Sequence, residues 1–347
     1  MTFTQEEIED IKSECFANDV DYNYEVLKDW DEDKIRDYFE SGGGGEGSAP
    51  SAVVEAGEED PFKTEMPKEV QFRMNADKTV VVITLNRPDA KNALNAPVTE
   101  GIELGIKRIK ASPSVRVCFL TGNGAMFCAG GDPKGFQEAQ ELGKKAAAEG
   151  KADGNAASAN NFALFLQALN ELPCYVVALA NGSAMGGGFG LLCCCDCVIA
   201  RKTAYFALSE VKLGVIPATI SPYVVAKIGP ANARRLFMTG ETVNVDKAKE
   251  IGLVQEIVDT PEAMVKEAQK VCDTMLLAAP KAVAAAKKLV ASVQYQPITP
   301  ELQDFTAEQL AAVRMSDEST GGMIAVQAGK KPPWAANAEA MKFPPAP

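Results

Sequence analysis

Three short stretches hold residue types that could do chemistry together. "FCAGGD" runs from Phe127 to Asp132, "AMGGGFG" from Ala184 to Gly190, and Glu210 sits inside "FALSEVKLGV". Each glycine stretch follows a run that reads as a strand. Glycine lacks a Cβ, so its backbone can come close to a ligand. Amides at a helix N-terminus point outward and favour negative charge. Two such turns set face to face would offer two N–H donors to one oxygen, which is an oxyanion hole. Gly186-Gly187-Gly188 also admits other readings. "GGGFG" does not fit the G-x-G-x-x-G spacing, and no Lys-Ser/Thr follows, so a dinucleotide or phosphate cradle is set aside. A close-packing turn stays open. Glu210 has Leu208, Val211, Leu213 and Val215 around it in sequence. A carboxylate in apolar surroundings has a raised pKa and suits proton transfer near neutral pH. An ordinary exposed glutamate beside Lys212 is the competing reading.

The chain contains no histidine. A Ser-His-Asp triad, a Cys-His pair and a His-ligated metal are therefore excluded. Acid–base work falls to Asp, Glu, Lys, Tyr or Cys. There are nine cysteines, three of them adjacent at Cys193, Cys194 and Cys195. They lack paired C-x2-C spacing, so they read as small buried hydrophobes and not as a metal site. An odd number of cysteines in a 347-residue chain points to a reducing compartment.

Charge divides the chain. Residues 1–60 hold 19 acidic residues against Lys12, Lys28, Lys34 and Arg36, a net of −15; the total of −12 leaves +3 for the rest. No concentrated basic face suggests nucleic acid. No apolar run reaches the roughly 20 residues of a membrane span. The opening "MTFTQEEIEDIKSECF" has neither a basic region before an apolar core nor an Arg-rich, acid-poor character. A cytoplasmic location is expected, with the mitochondrial matrix as the alternative.

These residues need elements to hold them. Residues 1–40 read as an acidic helical module with a possible protein partner, and a solubilising acidic tail is the rival reading. Residues 41–66 are a Gly/Ser/acidic linker by composition. Residues 67–260 form the core, and residues 261–347 a helical C-terminal region. In the core, "KTVVVITLNRP" is a strand stopped at Asn86-Arg87-Pro88. "APVTEGIELGIKRIKASP" is a helix with Val98, Ile102, Ile106 and Ile109 on one face. "VRVCFLTGNG" and "CYVVALANG" are further strands, and "FALFLQALNELP" is a helix ended by Pro173. Residues 138–160, rich in Ala, Lys and Gly, read as a mobile low-complexity segment. Strand and helix alternate, which predicts an α/β architecture.

Together, "TLNRPDAKNALN", "FLTGNGAMFCAGGD", "NGSAMGGGFGLLCCCDCVIA", "FALSEVKLGVIPATISPYV" and "ARRLFMTGE…AKEIGLV" closely resemble the crotonase (enoyl-CoA hydratase/isomerase) superfamily, in its order, over about residues 68–335. The resemblance implies a spiral of ββα repeats, a helical C-terminal region used in trimerisation, and a coenzyme A thioester substrate with no other cofactor and no metal. A homotrimer or hexamer acting in fatty acid or branched-chain amino acid catabolism follows from it. It places the oxyanion-hole amides on Ala129 and Gly187 and the catalytic carboxylate on Glu210. It assigns coenzyme A contacts to Lys91, Ala93 and Asp132, and to Lys330 or Lys331 in "AGKKPPWA". The typical hydratase has a second glutamate, and Gly190 stands at its position here. The wording of residues 206–224 is most similar to methylglutaconyl-CoA hydratase-like members, which favours hydration of a branched or glutaconyl-type enoyl-CoA. A single carboxylate also suits double-bond isomerisation, or a non-catalytic scaffold.

Overall fold

The computed structural model describes residues 60–149, 154–335 and 341–344; the module expected at 1–40 and most of the linker expected at 41–66 lie outside them. Among the described residues ten strands form two sheets. The larger takes β1 (Val70–Met74), β2 (Val80–Leu85), β3 (Val117–Gly122), β5 (Tyr175–Ala180), β7 (Cys197–Arg201) and β10 (Glu256–Val258), in that spatial order. The smaller takes β4 (Met126–Cys128), β6 (Ser183–Met185), β8 (Tyr205–Ala207) and β9 (Thr242–Asn244). Pairing is parallel except at β1–β2 and β8–β9.

The chain order builds a repeat. Each of β3, β5 and β7 runs through the large sheet and is followed at once by a short strand, β4, β6 or β8, in the small sheet. A helix or helical turn then follows: α2 (Pro133–Ala148) and α3 (Gly154–Asn170) after β4, α4 (Gly187–Cys194) after β6, and the 3-10 turn Glu210–Leu213 with α5 (Ser221–Thr239) after β8. This is the expected ββα arrangement. The two glycine turns follow the short strands β4 and β6, and Glu210 follows β8, so all three leave neighbouring strands of the small sheet.

The large sheet is buried on both faces, which is why β2 reads as continuous Val/Ile/Leu rather than as an alternation. Val81, Ile83, Cys118, Leu120, Val176 and Ala178 face one core with α1 (Ala96–Lys110), α3 and α4. Val80, Val82, Val117, Phe119, Val177 and Leu179 face the other, covered by α7 (Pro261–Leu277) through Met264, Ala268 and Cys272. α6 (Val245–Glu250) lies between β9 and β10, and α8 (Pro280–Val293), α9 (Pro300–Arg314) and α10 (Asp317–Gln327) follow α7.

Two expectations change. The segment expected to be mobile at 138–160 is helical over Pro133–Ala148 and again from Gly154. Its Ala, Lys, Glu and Gln are strong helix formers, and Asp132 caps the first helix by accepting from the Lys134 N–H, with Pro133 beginning it. β1 is a strand the sequence expectations leave out, although its Val-Gln-Phe-Arg-Met alternates apolar and polar residues; antiparallel pairing to β2 holds it. Cys193, Cys194 and Cys195 are free, buried thiols at the end of α4, as their composition suggested. Burial pushes their pKa values upward, to about 12 for Cys195, so they stay protonated. Among the described residues no helix is long and apolar enough to cross a membrane.

Candidate active site

The two glycine turns touch. Gly130 (φ +92°) and Gly186 (φ +49°) adopt backbone that side chains disfavour, and each carries the chain around a corner out of the small sheet. A Cβ on Gly130 would stand 2.8 Å from the Met185 carbonyl and 3.4 Å from the Gly187 nitrogen. One on Gly187 would stand 3.0 Å from Leu94 Cδ1, 3.7 Å from Phe162 Cζ and 3.8 Å from the Gly131 nitrogen. Both turns and an apolar wall of Leu94 and Phe162 therefore converge on one place.

Gly187 is the first residue of α4, so its N–H has no intrahelical acceptor. It finds no backbone acceptor elsewhere among the described residues. Ala129, also expected to offer an N–H outward, donates it to the Lys91 carbonyl at 3.0 Å.

Glu210 opens the 3-10 turn after β8 and meets the second glycine turn. Its Oε1 lies 3.1 Å from where a Cβ of Gly186 would be. Its Oε2 is buried and has no hydrogen-bond partner. Burial raises its pKa, opposed only by its own backbone amide. Of the sequence neighbours expected to bury it, Leu208 is buried but Leu213 and Val215 are exposed. The turn of Gly186 covers it too, a contact 24 residues away in the chain. Lys212, its near neighbour in sequence, lies along Gly240, with Cε 3.1 Å from that residue's absent Cβ.

The segment from Arg87 to Leu94 is clamped beside this site. Lys91 and Asn92 both hold positive φ, 53° and 54°. Asn92 is fully buried; its Oδ1 accepts from the Arg87 N–H at 2.9 Å and its Nδ2 donates to the Asn123 and Met126 carbonyls. Arg87 Nη1 donates to the Ala93 carbonyl and pairs with Asp132 Oδ2 at 2.5 Å. That bond holds the Asp132 carboxyl below its usual range. Asp132 is thus committed to Arg87 and to its helix cap. The roles of Arg87 and Asn92 escaped the sequence reading, although an Asn in a turn after Pro is a signal for left-handed backbone. Lys91 is exposed and Ala93 is buried.

Lys330 and Lys331 are not brought to the glycine turns. They follow α10 and lead into Pro333–Ala335, where Trp334 and Ala335 join the core on the opposite face of the large sheet. Gly190, one turn into α4, is buried against Ile220: a Cβ there would stand 2.2 Å from Ile220 Cγ2. Among the described residues no group of three or more Cys, Asp or Glu could hold a metal ion.

This fold is shared with known proteins. The family model described as enoyl-CoA hydratase/isomerase matches residues 75–337. The chain belongs to the enoyl-CoA hydratase/isomerase family. It is 32% identical over 261 residues to a carnitinyl-CoA dehydratase of Proteus mirabilis, covering 74% of this chain and 95% of that protein. It is 30% identical over 248 residues to an enoyl-CoA hydratase of Alternaria alternata, covering 70% and 77%. Among solved structures it resembles an enoyl-CoA hydratase of Shewanella pealeana (TM-score 0.71, 30% identity, 77% of this chain and 96% of that one). An enoyl-CoA hydratase/isomerase of Marinobacter aquaeolei is equally similar (TM-score 0.70, 33% identity, 77% and 99%). The chain is an enzyme of this family, and an acyl-CoA substrate is consistent with that membership.

Proposed function

We propose that this enzyme adds water across an α,β-unsaturated acyl-CoA, with Glu210 as the single acid and base. The observation that carries this is a buried, unpartnered carboxylate oxygen of Glu210 beside the glycine turn that presents the unclaimed Gly187 N–H. The Gly187 amide, with Ala129 exchanging the Lys91 carbonyl for the ligand, binds the thioester oxygen. Glu210 takes a proton from water as the water oxygen bonds to the β-carbon. The alkene electron pair moves into a thioester enolate, which the two amides stabilise. Glu210 then returns the proton to the α-carbon, so one water is consumed and no other reactant is needed.

The coenzyme A head group is assigned to the exposed Lys91 and the neighbouring Ala93, with Asp132 holding their loop through Arg87. Lys330 and Lys331 lie across the sheet in the same chain, so a contact from them to the nucleotide calls for a neighbouring protomer of a homotrimer or hexamer. The branched or glutaconyl-type acyl chain is supported by the wording of residues 206–224. A second reading, isomerisation of the double bond, is favoured by the lone carboxylate, because moving one proton between two carbons needs only one.

Product analysis by NMR, with crotonyl-CoA and 3-methylglutaconyl-CoA in deuterated water, separates the two. Hydration yields the 3-hydroxyacyl product; isomerisation moves the alkene and exchanges protons without taking up water. Glu210→Gln is expected to lower either rate by about 10²- to 10⁴-fold. Equal rates in the two proteins would remove Glu210 from the mechanism.

A further inference from the structure

Gly186 is the N-cap of α4 and Gly190 lies one turn further on. Gly186 faces Glu210, and Gly190 faces Ile220. The first turn closes between them, with the Gly190 N–H donating to the Gly186 carbonyl at 3.0 Å. Helical side chains lean toward the N-terminus. A side chain at 190 would therefore lean toward residue 186 and the Glu210 carboxylate. That course is filled. A Cβ at 190 would lie 2.2 Å from Ile220 Cγ2 and 2.8 Å from Ile220 Cβ, distances that real Cβ atoms do not show. Ile220 cannot step aside easily. It is 2% exposed within the main core, directly ahead of α5, and β-branched residues are stiff at χ1.

We propose that Ile220 is a specificity-determining residue. It occupies the space that the side chain of a second carboxylate at 190 would need, one turn along α4 from the glycine that meets Glu210. The missing glutamate at 190 and the isoleucine at 220 are then one volume exchange, not a loss. By filling that space, Ile220 denies water a second carboxylate to hold it and keeps this part of α4 apolar. This rests on Glu210 acting as proposed above. The missing carboxylate is not restored by Gly190→Glu alone, because its first side-chain carbon has nowhere to stand.

The test is a double-mutant cycle with Gly190→Glu and Ile220→Gly, read by thermal melting and by kcat/KM on crotonyl-CoA and on 3-methylglutaconyl-CoA. Gly190→Glu alone is expected to melt well below wild type or to be insoluble. Adding Ile220→Gly is expected to restore most of that loss. The double variant is expected to shift the crotonyl-to-methylglutaconyl preference by about tenfold or more toward the unbranched substrate, a modest share of what one acid–base group supplies. Ile220→Ala and Ile220→Val, which keep Gly190, are expected to shift the same ratio in order of volume lost. Gly190→Glu as stable as wild type would overturn the packing argument. An unchanged substrate ratio across the Ile220 series would overturn the specificity role even if the double variant failed to fold. Equal rates for wild type and Glu210→Gln would instead sink the proposed function while leaving the melting results standing.

Discussion

Glu210 is held where its charge is unwelcome, and that sets its behaviour with pH. Its folded-state pKa is raised by burial. In hydration the carboxylate must be ionised to act as base, so kcat/KM is expected to fall as pH drops through this raised value. The midpoint lies above that of an ordinary glutamate, and a pH–rate profile measures it. Stability follows the opposite sense. Below the ordinary glutamate pKa the residue is protonated in both states. As pH rises toward the folded-state value, the unfolded chain ionises first and gains. Wild type is therefore expected to lose stability relative to Glu210→Gln between acid and neutral pH. Melts at pH 5 and 7.5 check this; a stability difference between the two proteins that does not move toward Glu210→Gln as pH rises contradicts it. Loss of activity with gain of stability marks a residue kept for chemistry.

The elements work because they come closer than side chains normally allow. α4 lies on β4 at Gly188, where a Cβ would stand 2.5 Å from the Cys128 carbonyl and 2.7 Å from Cys128 Cβ. This approach is what sets the Gly187 amide against the Phe127–Asp132 turn. Gly188→Ala is expected to cost about 1–3 kcal/mol by overpacking, read as a lower urea midpoint. It is also expected to lower kcat more than it raises KM, since the amide would shift away from the thioester oxygen. A neutral Gly188→Ala would mean that the turns are less tightly coupled than their spacing implies.

Over the whole molecule, one buried cation joins the sheet to the C-terminal helices. Arg116 enters β3 and is 8% exposed. Its Nη2 donates to the carbonyls of Met275, Leu276 and Ala278, and its Nη1 to that of Trp334. It thereby satisfies carbonyls left open at the end of α7, where positive charge is favoured. Arg116→Ala is expected to cost about 2–3 kcal/mol, because charged hydrogen bonds are lost and buried carbonyls are left unpaired. Hydrogen exchange is expected to rise first in α7 and around Trp334, far from the glycine turns. Uniform loosening would contradict a local clamp.

Much of this was legible in residue order. The apolar run of β2, the spacing of Val98, Ile102, Ile106 and Ile109, and the capping and Pro/Gly signals depend on neighbours in the chain, and they gave the α/β alternation. The motif order gave the family. The absence of histidine limited the acid–base candidates, and the gap at Gly190 was visible as a missing side chain. What fills the gap was not, because Ile220 lies 30 residues on and meets Gly190 only when α4 packs beside the start of α5. Burial of Glu210 by Gly186, the engagement of Ala129 by Lys91 and the placement of Lys330 and Lys331 across the sheet are likewise contacts between distant segments. Local sequence sets propensity and pattern, whereas volume, solvation and the partner of each N–H are decided only when those segments share space.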